Sequence, residues 1–187
     1  MGEAGAAVPE CRCVALLRGV NVGGRNKVSM AELAAEVGAL GHRDVTTYIQ
    51  SGNVVLSCDR ADVATLAESL AQMISSSFGA EIAVVVRTHD DLASVVAANP
   101  FPEAAAVPAS LHVAFLSARP SSEATTGVDP MWSPPDRFAV VGSEVYLHYP
   151  NGSGRSKLTA DFLERRLGVR ATARNWNTVL KLEEMSR

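Results

Sequence analysis

The order of strand-like and helix-like segments in the first half of the chain is the feature that most restricts its fold. Residues 13–17 form an apolar run typical of a buried strand. Apolar residues recur at helical spacing over 30–40 and 63–78. Further strand-like segments lie at 45–49, 54–57 and 82–86. This β-α-β-β-α-β order predicts an α+β chain whose N-terminal half, residues 11–88, is ferredoxin-like.

A second, similar α+β half is predicted for residues 89–187, ending in a C-terminal helix at 176–184. A helix at 90–98, opened by Thr88, links the halves and stops at the prolines of 99–102. The same order then recurs in weaker form. Strands are expected at 111–116, 138–141, 145–149 and 169–173, and helices at 122–126 and 157–167. We expect one compact unit, preceded by a mobile tail at residues 1–10.

Composition limits the compartment and the cofactors. The 187 residues are 47% hydrophobic and 20% charged, and no apolar run approaches the roughly 18 residues of a membrane span. The first residues carry Glu3 and Glu10 rather than the basic start of a secretory signal. Three cysteines make a poor disulfide framework and show no zinc-ligand spacing with the histidines. We predict a cytoplasmic protein with no membrane partner and no metal site, and no cofactor or oligomeric state is indicated.

The polar, glycine- and asparagine-rich segment after the first strand is the first candidate site. In a β-α-β-β-α-β unit the loop after the first strand and the hairpin between the second and third strands lie at the same end. Arg18 and Asn21 are therefore expected to face Gln50 and Asn53 across one pocket mouth. The structural alternative is that the glycines allow left-handed turns and that Asn21 bonds its own backbone.

A second polar cluster is predicted near the C-terminus. Residues 152–157 form a glycine loop that is predicted to open a helix, where free backbone N–H groups with Arg155 and Lys157 would bind phosphate or carboxylate. The structural alternative is a flexible loop with solvated charges.

The segment at 174–178 shares an end with that loop. Arg174 is interpreted as an anion clamp beside Asn175 and Asn177, with the ring of Trp176 available to a base. Alternatively, one of the two asparagines caps the last helix and Trp176 lies in the core.

Known catalytic motifs are poorly matched. Residues 19–24 have the G-x-x-x-x-G spacing of a P-loop, but Arg25 stands in place of the phosphate-binding Lys, and Asn26 in place of the magnesium-binding Ser or Thr. There is no G-x-S-x-G, H-E-x-x-H or C-x-x-C motif. We therefore predict binding of a small anionic or nucleotide-like ligand in a cleft lined by Arg, Asn and Gly, and leave an enzymatic activity open.

Two alternatives belong to other functional classes. One is an RNA- or nucleic-acid-binding module, because ferredoxin-like sheets can stack bases, although Val54, Val55 and Leu56 stand where aromatic residues are expected. The net charge of −3 also argues against it, although residues 151–187 carry +4. The other alternative is a protein-interaction module without a small ligand, in which the polar clusters are structural turns.

Several motifs resemble those of a known family. They are ALLRGVNVGG at 15–24, YIQSGN at 48–53, NPF at 99–101, and RNWNT at 174–178 followed by Lys181 and Leu182. In this order they resemble the uncharacterised bacterial family called domain of unknown function 1697, from about Cys13 to Leu182. Ala173 stands where the family has a second Thr before the Arg. The resemblance implies a compact α+β fold and supplies no activity.

Overall fold

The computed structural model describes residues 9–23 and 26–187, and its first half is an antiparallel sheet covered by two helices. The elements in chain order are β1 (Glu10–Leu17), α1 (Met30–Ala39), β2 (Arg43–Tyr48), β3 (Asn53–Asp59), α2 (Val63–Phe78) and β4 (Val84–Thr88). The sheet order is β2-β3-β1-β4, and every neighbouring pair is antiparallel. β1 and β2 therefore run in the same direction, and their C-terminal ends lie at the same end of the sheet.

A linking helix and a second sheet follow. The elements are α3 (His89–Ala97), β5 (Leu111–Leu116), α4 (Ser122–Thr126), β6 (Arg137–Val141), β7 (Glu144–His148), α5 (Ala160–Leu167), β8 (Ala171–Asn175) and α6 (Trp176–Met185). The second sheet has the order β6-β7-β5-β8, and its paired strands are also antiparallel. The protein is thus a mixed α+β fold with two four-stranded antiparallel sheets in which the strand order repeats.

The two halves share a hydrophobic core. Side chains alternate between faces along a strand, so Cys13 and Ala15 of β1 pack beneath α1 and α2, whereas Val14 and Leu16 point to the opposite face. On that opposite face they join a cluster with residues of α3, of the second sheet and of α6, including Trp176. Burial on both faces explains why β1 is a continuous apolar run in the sequence.

Helix ends follow local capping residues, and this corrects one predicted boundary. The helix predicted from residue 157 begins at Ala160, because the side chain of Thr159 caps it by accepting a hydrogen bond from the Phe162 N–H. Residues 153–155 form a short 3₁₀ turn instead. The predicted helix at 90–98 is α3, and Thr88 forms a complete capping box with Asp91.

Two further predictions are corrected at the strands and the N-terminus. The segments predicted as strands at 82–86 and 169–173 are each displaced by two residues, giving β4 and β8. The predicted tail at 1–10 ends too late, because Glu10 already pairs with Asp59 in the sheet, and residues 1–8 lie outside the described part of the chain. None of the helices in the described ranges is long and apolar enough to cross a membrane.

Candidate functional site

A cleft between the two halves is the candidate site. It has a volume of about 510 Å³ and opens at the C-terminal end of β1. The first half contributes the loop after β1 and Ser51 of the β2–β3 hairpin. The second half contributes the start of α5 and four residues of β8. The described residues lining the cleft are Arg18, Gly19, Val20, Val22, Asn26, Ser51, Ala160, Asp161, Ala171, Thr172, Ala173 and Arg174.

The loop after β1 contains left-handed backbone conformations, as its content of glycine and asparagine indicates, and is held by side-chain hydrogen bonds of Asn21. Asn21 and Asn26 both have positive φ, at 54° and 47°. The Asn21 Nδ2 donates to the carbonyl oxygens of Val28 (2.9 Å) and Gln50 (3.0 Å), and its Oδ1 accepts from the Val28 N–H (3.0 Å). Asn21 thus fastens the loop to the hairpin, and the expectation that these two segments meet is confirmed. Gly24 and Arg25 of the P-loop comparison lie outside the described residues.

The hairpin approaches the loop so closely that one position requires glycine. A Cβ atom on Gly52 would lie 2.4 Å from Val20 Cγ2 and 2.7 Å from Leu17 Cβ. Gly52 also has φ of +77°, and its carbonyl accepts a 2.8 Å bond from the Leu17 N–H. At the start of the same turn Ile49 has φ of 48°, a strained conformation for a β-branched residue, and its side chain is half exposed.

Arg18 crosses the cleft to two carboxylates of α5. Its Nε and Nη2 donate to Glu164 Oε1 (2.7 Å) and Oε2 (2.8 Å), a bidentate pair, and Nη2 also donates to Asp161 Oδ1 (2.6 Å). The side chain of Glu164 is only 13% exposed, and its Oε1 accepts a further 2.8 Å bond from the Ala171 N–H. That of Asp161 is 69% exposed. Glu164 is therefore the fixed partner of Arg18, and Asp161 the displaceable one.

Arg174 lies at the base of the cleft and is buried. Its Nε donates to Asn53 Oδ1 (2.5 Å) and its Nη1 to Thr172 Oγ1 (2.7 Å). Its Nη2 donates to three carbonyl oxygens of the first half, those of Leu17 (2.9 Å), Gly52 (3.0 Å) and Ser51 (3.1 Å). Burial lowers the pKa of Arg174 to about 10, so it remains charged at neutral pH. Its donors are occupied within the protein, and it joins the two halves.

The placement of Arg174 corrects the predicted second patch. Its guanidinium lies with the hairpin of the first half, not with Arg155 and Lys157, because β8 directs this side chain toward the first sheet. Arg155 and Lys157 are exposed beside the 3₁₀ turn, so neither lies at a helix N-terminus as predicted. Residues of the Gly152–Lys157 loop thus line a different cavity from the cleft.

The asparagines serve mainly as scaffold. Asn53 is fully buried and donates to Tyr48 O (2.9 Å) and Ser51 Oγ (3.2 Å). Asn175 caps α6 by accepting from the Thr178 N–H (2.9 Å), which is the structural alternative considered above. The other two predicted residues, Gln50 and Asn177, have exposed side chains.

The ring of Trp176 is 4% exposed and lies in the shared core. The alternative of a core residue therefore holds, and the ring is not available to a base.

Sequence reasoning missed Asp161, Glu164 and Thr172. Asp161 and Glu164 are three residues apart and therefore project from one helix face, which is a readable signal for a charged patch. Their partner Arg18 lies 143 residues from Asp161 in sequence, so only the docking of the two halves reveals the pair.

The cleft presents both hydrogen-bonding groups and apolar side chains. One partly exposed guanidinium, the Asn26 amide and the Ser51 hydroxyl face an apolar wall from Val20, Val22 and the alanines. In the described part of the chain no cluster of three or more His, Cys, Asp or Glu side chains is placed to hold a metal ion.

Comparison with known proteins gives a family and a fold. The sequence profile of the family described as "Protein of unknown function (DUF1697)" matches residues 11–146. No curated protein is significantly similar to the chain. Among solved structures, the chain is similar to the conserved bacterial protein SP0830 from Streptococcus pneumoniae, with a TM-score of 0.75 and 21% identity over 95% of this chain and 98% of that one. At this identity the likeness shows the fold alone.

Proposed function

The chain belongs to the DUF1697 family of proteins of unknown function, and from its cleft we propose that it binds a small anionic ligand between its two halves. The observation that carries this proposal is the arrangement of Arg18. A displaceable carboxylate, Asp161, occupies one side of its guanidinium, while Glu164 holds the other. A phosphate or carboxylate of the ligand would replace Asp161 and form charge-assisted hydrogen bonds to Arg18 Nη2.

The size and lining of the cleft support a ligand with both a ring and an anionic group, such as a nucleotide-like molecule. Its volume of about 510 Å³ falls within the roughly 300–1,000 Å³ typical of small-molecule sites. Val20 and Val22 form an apolar wall on one side, and Ala160, Ala171 and Ala173 form one on the other. The hydroxyl of Ser51 and the amide of Asn26 offer hydrogen bonds at fixed positions.

Each predicted site residue takes a distinct role in this proposal. Arg18 contacts the anion, and Gln50 contributes from the exposed rim of the hairpin. Asn21, Asn53, Arg174 and Asn175 hold the scaffold and touch the ligand only indirectly. Arg155, Lys157 and Asn177 remain candidates for ligand binding outside the cleft.

Thermal shift with a panel of nucleotides and anionic metabolites tests the proposal. We expect a ligand that raises the melting temperature of the wild type, loses this effect in Arg18→Ala, and binds more tightly to Asp161→Asn, which removes the competing carboxylate. Arg60→Ala is the matched control, because Arg60 is exposed at the opposite end of β3. A shift that survives unchanged in Arg18→Ala would exclude this site.

We also propose that each half is ferredoxin-like, on the basis of the strand order that the two sheets share. Binding of bases on an open sheet, the nucleic-acid alternative, lacks support, because β1 is packed on both faces. A cytoplasmic location is also proposed, since Cys11, Cys13 and Cys58 are all free thiols.

A further inference from the structure

An exposed tryptophan lies on a surface separate from the cleft. Trp132, in the segment between α4 and β6, is 39% exposed, and its neighbour Met131 is 67% exposed. The Trp132 ring stacks on Phe162 of α5, with centroids 4.8 Å apart and an interplanar angle of 15°. Phe162 is 5% exposed and belongs to the core, so the inner ring of the stack is fixed by core packing.

A guanidinium lies beside this stack rather than on top of it. Arg166 Cζ is 5.5 Å from the Trp132 centroid and 5.7 Å from the Phe162 centroid. A group nearly equidistant from two stacked rings cannot lie on the outer face of either ring, so Arg166 does not cover the outer face of Trp132, which is 39% exposed as a residue. Across residues 9–23 and 26–187, no carboxylate forms a salt bridge with Arg166.

Two further basic residues lie near Ser133, the residue that follows Trp132. The Lys157 backbone N–H donates to Ser133 Oγ (3.3 Å), which places this exposed lysine beside the residue that follows Trp132. Arg155 and Ser133 line the same open cavity of about 650 Å³. Residues 151–187 carry a net charge of +4, so the positive charge is local on a chain that is negative as a whole.

We propose that Trp132, Arg166, Lys157 and Arg155 form a binding surface for single-stranded nucleic acid. A base stacks on the outer face of Trp132, and the flanking phosphates are held by the three basic side chains. Stacking on an aromatic ring accompanied by Arg and Lys is the physical basis of single-strand binding. A strand suits this surface better than a free nucleotide, because the ring is exposed and the basic residues lie on two separate segments, α5 and residues 155–157, rather than in one enclosed pocket.

The surface is independent of the cleft because the two use different faces of α5. Residues four apart share a helix face, so Phe162 and Arg166 project to the stack. Asp161 and Glu164 of the same helix project to Arg18. Binding at Trp132 can therefore fail or succeed whatever the outcome at Arg18.

Anisotropy of a labelled single strand of about 12 nucleotides, titrated at low salt with the full chain, tests the proposal. Loss of one base–aromatic stack is expected to weaken binding roughly tenfold or more in Trp132→Ala. Arg166→Ala should weaken it as well and flatten the salt dependence by about 0.7 in log–log slope. Arg165→Ala and Arg60→Ala are the matched controls, because Arg165 lies on a different face of α5 and Arg60 is exposed after the end of β3.

Tryptophan emission gives a second measurement. The chain has two tryptophans, and Trp176 is buried, so quenching by the strand should come from Trp132 and disappear in Trp132→Leu. Three results would overturn the proposal: no strand binding by the wild type, equal affinity of wild type and Trp132→Ala, or equal affinity for a free mononucleotide and the strand. Arg165→Ala weakening binding as much as Arg166→Ala would overturn the assignment of Arg166.

Discussion

The Nε atom of Arg174 donates a hydrogen bond to Oδ1 of Asn53 over 2.5 Å, and this contact joins the last strand of the second sheet to the hairpin of the first. Asn53 is fully buried and Arg174 is 7% exposed. Arg174 lines the base of the cleft and Asn53 holds it from beneath, so the binding proposed at Arg18 depends on this contact between the two halves.

Replacement of Arg174 should destabilise the whole protein. Arg174→Ala removes the donor for Asn53 Oδ1 and for the Ser51 carbonyl, and unsatisfied buried acceptors cost about 1–3 kcal/mol each before relaxation. The carbonyls of Leu17 and Gly52 also lose a bond to Arg174, but they keep Thr172 Oγ1 and the Leu17 N–H as donors. We expect the free energy of unfolding, measured by urea denaturation, to fall by at least about 3 kcal/mol. Arg174→Lys should recover part of this loss, because lysine keeps the charge without the planar fork. The exposed control Arg155→Ala should change stability by less than about 0.5 kcal/mol, and an equal loss in both would refute the role of Arg174.

Substitution of Gly52 should separate the hairpin from the loop. Gly52→Ala places a Cβ 2.4 Å from Val20 Cγ2 in a left-handed backbone conformation, and we expect a loss of about 2–4 kcal/mol in urea denaturation. Gly38→Ala is the control, because in α1 an added Cβ meets nothing within 4 Å. That variant should be neutral or stabilised by up to about 1 kcal/mol. Comparable losses of unfolding free energy in Gly52→Ala and Gly38→Ala would contradict the close approach of the hairpin to the loop after β1.

The three cysteines should be unreactive in the native protein. Cys11, Cys13 and Cys58 are each at most 5% exposed, and burial raises the pKa of Cys13 and of Cys58, which lowers the fraction of reactive thiolate. A thiol reagent such as Ellman's reagent should modify them only in urea, at a rate that follows unfolding. Rapid modification under native conditions would show that this face of the first sheet opens locally.

Stability should fall in mild acid because of His112. Burial lowers its pKa below the ordinary value of 6.5, and its Nδ1 has no hydrogen-bond partner in the described part of the chain. The neutral ring is favoured in the folded state, so its contribution is complete above about pH 6.5 and is lost as the pH falls toward the folded-state pKa. His112→Phe keeps the packing against Tyr149, whose ring lies 5.2 Å away, and should flatten the decline in melting temperature between about pH 7 and 5. An unchanged pH profile in this variant would assign the decline to other groups.

Local sequence patterns were sufficient to predict those helix ends that depend on capping residues close in sequence. Thr88 caps the start of α3 as expected, because a cap involves residues within one turn of each other. The meeting of Asn21 with the Gln50 backbone also followed from strand order alone. The start of α5 was misplaced because Leu158 continues the apolar pattern on the N-terminal side of the helix, while Thr159 supplies the cap.

The sequence by itself determined the order of elements, the family and the polar loops after β1 and in the hairpin. It did so because periodicity, turns and caps are short-range properties of the chain. The tertiary structure alone decided that Arg174 is buried scaffold, that Arg18 faces Asp161 and Glu164, and that the cleft lies between the halves. Those outcomes depend on how the two sheets pack around a shared core, which brings each of these arginines to a partner more than 100 positions away in the chain. No local pattern encodes such a pairing.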